Sequence, residues 1–94
     1  MDINREIRLA VNTGEASLGI KEVKKNVKDG KVKMLIVAKN CPEPSFKEKE
    51  YEGVPIYNFK GNNHELGSTA GKPFTVSSIA VMDPGESDIL TLVE

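Results

Sequence analysis

LGIKEVKKNVKDGKVKMLIVAKNCP, residues 18–42, places a helix and a strand in direct succession. Gly19 opens the helix, Ile20, Val23 and Val27 form its inner face, the lysines point outward, and Gly30 stops it. Lys33–Ala38 (KMLIVA) is short, nearly continuously apolar and rich in Ile and Val. Those properties predict a strand buried on both faces rather than one with a solvated side.

The flanking sequence supplies the remaining layers. Upstream, Asp2 caps a helix whose Ile3, Ile7, Ala10 and Val11 share one face, with Gly14 as its stop. Residues 15–18 form a short link or an edge strand. Downstream, Pro42 and Pro44 mark a turn, and SFKEKEYE (45–52) predicts a short helix with Phe46 and Tyr51 inward. VPIYNF (54–59) is the next strand, with Pro55 making its start irregular or near an edge. Asn62 and Glu65 have the spacing of a capping box for a helix through about Ala70. Thr75–Met82 (TVSSIAVM) is a strand, Pro84-Gly85 turns the chain, and Glu86 or Ser87 starts a last helix packed through Ile89, Leu90 and Val93. Helices alternating with strands, without repeat or linker, predict an α/β fold. The expected architecture is a three-layer α/β/α sandwich with a mixed sheet of about four strands, in one domain over 1–94.

Composition narrows the class. No apolar run approaches the roughly 18 residues of a membrane span. The N-terminus MDINREIR lacks a signal-peptide core, and the single Cys41 fits a reducing cytosol. A net charge of −1 argues against a bulk electrostatic binder of nucleic acid. The charges are nevertheless segregated. Residues 21–39 hold seven lysines against Glu22 and Asp29, whereas 83–94 carry Asp83, Glu86, Asp88 and Glu94 with no basic residue. Such asymmetry points to an oriented contact with an anionic partner.

In open α/β sheets, ligands meet the loops beyond one end of the strands. Three segments are candidates: Gly19-Ile20-Lys21 at the second helix start, Lys39-Asn40-Cys41 after the buried strand, and Gly71–Val76 (GKPFTV). Gly19 permits close backbone approach. Lys21 puts a cation in a first helical turn, where an anionic partner compensates for the unfavourable dipole. Asn40 offers donor and acceptor, which suits a base edge, and Phe74 offers a face for an unstacked base. No metal, cofactor or catalytic group is expected: His64 and Cys41 are solitary, and GNNHELGSTAGK lacks the spacing of a phosphate loop.

At these residues the chain resembles the archaeal and eukaryotic large-subunit ribosomal protein L-thirty-e family, within the superfamily that binds kink-turn RNA. The resemblance rests on 18–42, VPIYNF, NNHELGSTAGKPF and DPGESDIL, in the family's order and over most of the chain. It implies a structural, non-enzymatic constituent of the large ribosomal subunit in the cytoplasm. Its expected partners are a kink-turn of ribosomal RNA and neighbouring ribosomal proteins, with a monomer off the ribosome and no membrane contact. It also implies RNA contacts at Gly19, Lys21, Asn40, Phe74, Thr75 and Val76. On this reading Asn40 and Lys21 meet base edges or nearby phosphates, and Phe74 with Val76 touches an extruded base. Lys24, Lys28, Lys39 and Lys72 are the phosphate neighbours.

The sequence departs from the family pattern in three places. Thr75 stands where a basic residue is frequent, Glu15 replaces a frequent Lys or Arg, and the segment from Asn40 to Gly53 is about one helical turn shorter. The related L-seven-Ae branch opens its second helix with an Asn-Glu pair, which Gly19-Ile20-Lys21 does not match. The alternative expectation is a kink-turn-binding or protein-interaction module acting off the ribosome, since acidic stress-signalling relatives share the fold.

Overall fold

A computed structural model describes residues 2–93. Helix α1 (Ile3–Thr13) starts at Asp2, whose carboxylate accepts from Arg5 N, and ends at Gly14. Strand β1 (Glu15–Leu18) leads through Gly19 into α2 (Ile20–Lys28), followed by β2 (Met34–Val37). A 3-10 turn (Pro44–Lys47) precedes the short β3 (Glu50–Tyr51) and β4 (Val54–Asn58). Helix α3 (Asn63–Thr69) and β5 (Ser78–Asp83) follow, and a second 3-10 turn (Ile89–Val93) closes the described chain.

The sheet order is β1-β5-β2-β4-β3. Only β2 and β4 run parallel, so the sheet is mixed, as expected, with five strands rather than about four. β2 is buried along its whole length, and its alternating side chains serve two cores. Met34 and Ile36 join Ile7, Ala10, Leu66, Ile79 and Val81 under α1 and α3. Leu35 and Val37 join Val23, Val27, Phe46, Ile56 and Ala80 under α2. That division produces three layers.

Three expectations need correction. The SFKEKEYE segment is a 3-10 turn and a strand, not a helix. Glu52 (φ 48) and Gly53 (φ 83) are both left-handed, which gives the two-residue hairpin turn joining β3 to β4. Phe46 is buried as expected, and Tyr51 packs edge-on against it with centroids 5.0 Å apart. β5 begins at Ser78 rather than Thr75, because Val76 N donates to Asn63 O in α3 (3.1 Å) before the chain enters the sheet. The C-terminal segment is a 3-10 turn tied to α1. Glu6, a buried carboxylate, accepts from Asp88 N (2.6 Å), and Thr13 Oγ1 accepts from Glu86 N (2.9 Å).

Candidate nucleic-acid interface

The expected segments meet at one end of the sheet, stitched by backbone hydrogen bonds. Gly19 N donates to Ser78 O (3.0 Å), Ala38 N to Ser77 O (2.9 Å) and Lys39 N to Gly61 O (2.8 Å). The end of β1, the end of β2, the loop after β4 and the start of β5 therefore form one rigid rim.

Gly19 takes φ 96 and ψ 150, a conformation restricted to glycine, and a side chain there would meet nothing within 4 Å. The space above it is open. No side chain caps α2 at Gly19, so the first-turn N–H groups lack a capping acceptor and present a positive helix end. Lys21 is exposed in that turn.

Asn40 is exposed but not free to rotate. Its Oδ1 accepts from Asn63 N (2.8 Å), and its Nδ2 donates to Asn63 Oδ1 (3.0 Å). A carboxamide has two donor hydrogens and two lone pairs, so one of each remains for a base edge, in an orientation already fixed. The sequence reading missed Asn63, which sits at the start of α3 beside the capping box that Asn62 and Glu65 do form. It also missed Lys47, whose Nζ donates to Lys39 O (3.0 Å) and adds a cation near this rim.

Phe74 is 56% exposed, the one large hydrophobic side chain so placed among the described residues. Thr75 is exposed beside it, and Lys72 is half-buried. Gly67 brings this turn down onto α3: a Cβ at Gly67 would lie 2.1 Å from Phe74 O.

Two assigned residues are placed otherwise. Val76 is 2% exposed and belongs to the core under α1 and α3, so its side chain has no surface to offer a base. Lys24 is part-exposed but ion-paired to Glu43, so its charge is already balanced by a neighbouring carboxylate. Lys39 is exposed on the rim. Lys28 is exposed too, but eight residues along α2 from Ile20, roughly 12 Å away.

The Lys24–Glu43 pair has a measurable signature. The hydrogen bond from Lys24, aided by one from Ser45 N, holds the Glu43 carboxyl at about 2, down from 4.5. A depressed carboxyl contributes stability that is present above its ordinary range and is lost as pH falls from there toward about 2. Lys24→Met removes the larger cause, so the Glu43 carboxyl resonance should titrate closer to 4.5, and the low-pH part of the stability profile should flatten. A carbon-detected NMR titration reads this directly; an unmoved Glu43 would mean the pair is not formed in solution.

Comparison with known proteins identifies relatives along the whole chain. A family model described as "Ribosomal protein L7Ae/L30e/S12e/Gadd45 family" matches residues 1–91. A protein of Pyrobaculum calidifontis is 43% identical, with 100% of this chain and 97% of the relative covered. One of Methanoregula boonei is 45% identical, covering 98% and 96%. One of Methanothermobacter thermautotrophicus is 44% identical, covering 99% of each. All three relatives carry the name large ribosomal subunit protein eL30. With a family match over 1–91 and identities above 40% along the whole length, the chain belongs to the ribosomal protein L7Ae/L30e/S12e/Gadd45 family.

Proposed function

We propose that this protein is a structural constituent of the large ribosomal subunit in the cytoplasm and that it binds a kink-turn in ribosomal RNA through the sheet-end rim. The whole chain acts as one RNA-binding domain, monomeric off the ribosome and beside other ribosomal proteins on it. The observation that carries this reading is the exposed Phe74 held on the same rim as the immobilised Asn40 and the open α2 N-terminus at Gly19. The names of the relatives support the ribosomal part. Relatives that carry a ribosomal protein's name agree with the non-enzymatic reading of the sequence.

A kink-turn exposes what regular A-form RNA hides: an opened groove, displaced bases and sheared purine pairs with accessible edges. Asn40 offers its remaining N–H and lone pair to a purine edge. Gly19 lets a backbone phosphate come close to the first-turn N–H groups of α2, where Lys21 adds charge. Lys39 and Lys72 serve neighbouring phosphates, and Phe74 with Thr75 meets a displaced nucleotide. Asn63, acting through Asn40, sets which end of the carboxamide faces the RNA.

Few cations stand on the rim, so shape and specific contacts outweigh counterion release, and the salt slope should be shallower than that of a strongly basic binder. Titrating a kink-turn RNA and a plain duplex across ionic strength tests this. Equal affinity for the two would remove the proposal. Phe74→Ala should weaken kink-turn binding by about 1–3 kcal/mol with little change in melting temperature. If the variant melts early instead, the ring supports the fold and not the RNA.

A further inference from the structure

The partner that occupies Lys24 leads back toward the rim. Glu43 stands in the segment after β2, and its carboxylate is used twice: Oε1 takes the Lys24 ammonium and Oε2 accepts from Ser45 N (3.1 Å). The second bond starts the 3-10 turn Pro44–Lys47. Phe46, buried in the core under α2, anchors that turn. Lys47 ends it and is exposed, and its Nζ donates to Lys39 O (3.0 Å).

Lys39 O belongs to the peptide unit that leads into Asn40. A peptide unit is planar, so a bond to its oxygen restrains the backbone on both sides of it. A bond from an ammonium is also stronger than one from a neutral donor. Asn40 is therefore held from two directions. Asn63 exchanges two hydrogen bonds with its carboxamide, and Lys47 fixes the peptide before it. An amide aimed before the RNA arrives has less freedom to lose on binding.

We infer that Lys24, Glu43 and Lys47 form a brace that positions Asn40, so that Lys24 and Lys47 are positioning residues and not phosphate contacts. The brace serves the RNA-binding reading above and rests on it. It joins α2, the 3-10 turn and the end of β2, and it brings residues 43–47 into the site as support, not as contact surface.

The test measures kink-turn affinity of the full chain across ionic strength. Lys47→Met should bind about three- to tenfold more weakly than wild type, the worth of one hydrogen bond, with an unchanged salt slope. Loss of a phosphate contact would instead reduce that slope by about 1. In an Asn40→Ala background the same exchange should cost nothing further, because Lys47 acts through Asn40. Lys47→Arg, which can still donate to Lys39 O, should restore binding, and Lys24→Met should follow Lys47→Met in smaller degree. Without RNA, the Asn40 side-chain amide resonances should move toward those of a free carboxamide in Lys47→Met, while the melting temperature stays near wild type. Equal losses with and without Asn40, or a reduced salt slope, would make Lys47 a phosphate contact and overturn the brace. Wild-type affinity in both methionine variants would overturn it too. If wild type itself does not prefer the kink-turn to a duplex, the RNA reading falls, and the RNA-free spectra decide separately whether Lys47 holds Asn40: unchanged resonances remove the brace as well.

Discussion

Phe46→Ala is expected to destabilise the protein by about 3–5 kcal/mol, the usual cost of removing a buried aromatic ring. Phe46 is fully buried and stands edge-on to Tyr51, among Val23, Leu35 and Ile56 on the α2 side of the sheet. A domain of this size has only about 5–15 kcal/mol of total stability, so the variant should be largely unfolded near physiological temperature. Urea denaturation with an unchanged slope checks this, and Phe46→Leu should recover part of the loss. A loss below about 1 kcal/mol would mean that the 41–53 segment packs differently. The contrast with Phe74→Ala, which should spare stability and reduce RNA binding, separates core from contact surface using one residue type.

Gly67→Ala is the second large effect, and its sign is diagnostic. Inside a helix, exchanging glycine for alanine ordinarily stabilises by about 1 kcal/mol. Here the added Cβ would lie 2.1 Å from Phe74 O, 3.2 Å from Phe74 C and 3.4 Å from Thr75 Cα. Those are backbone atoms, with no rotamer that gives way. The turn must lift from α3, breaking the bond from Lys72 N to Gly67 O (2.9 Å), at an expected cost of about 1–3 kcal/mol. Because the lifted turn carries Phe74, RNA affinity should fall at least as far as in Phe74→Ala. Ser68→Ala, on the exposed side of the same helix, is the control and should melt like wild type. A Gly67→Ala protein more stable than wild type would refute the close approach.

What could be read from the sequence was local. The Asn62–Glu65 capping box spans three residues and forms as expected. KMLIVA carries its own burial pattern, and α1 and α2 start and stop where Asp2, Gly14, Gly19 and Gly30 indicate. The misses came from local propensity set against distant contacts. SFKEKEYE is rich in helix formers, yet the Glu52-Gly53 turn lets Glu50 and Tyr51 pair with β4. A Gly directly before VPIYNF was the available hairpin signal. The C-terminal segment reads as a helix, but its N–H groups find partners on α1, more than 70 residues away.

The candidate site divides in the same way. Gly19, Lys21, Asn40 and Phe74 were legible because glycine, cation, amide and aromatic ring each advertise their chemistry. The Asn40–Asn63 exchange, the Lys24–Glu43 pair and the burial of Val76 depend on contacts 13 or more residues apart. No spacing rule reaches them.

The strand order has a consequence for how the chain is made. β5 lies between β1 and β2, so the strand that joins the sheet's two parts is the last to be synthesised. Until residues 78–83 emerge, β1 has no partner, β2 has one open edge, the core under α1 and α3 lacks Ile79 and Val81, and the core under α2 lacks Ala80. Such late, long-range pairing slows folding and exposes unpaired edges meanwhile. A nascent chain stalled before Ser78 should therefore be protease-sensitive throughout, and release of a few more residues should protect nearly all of it at once.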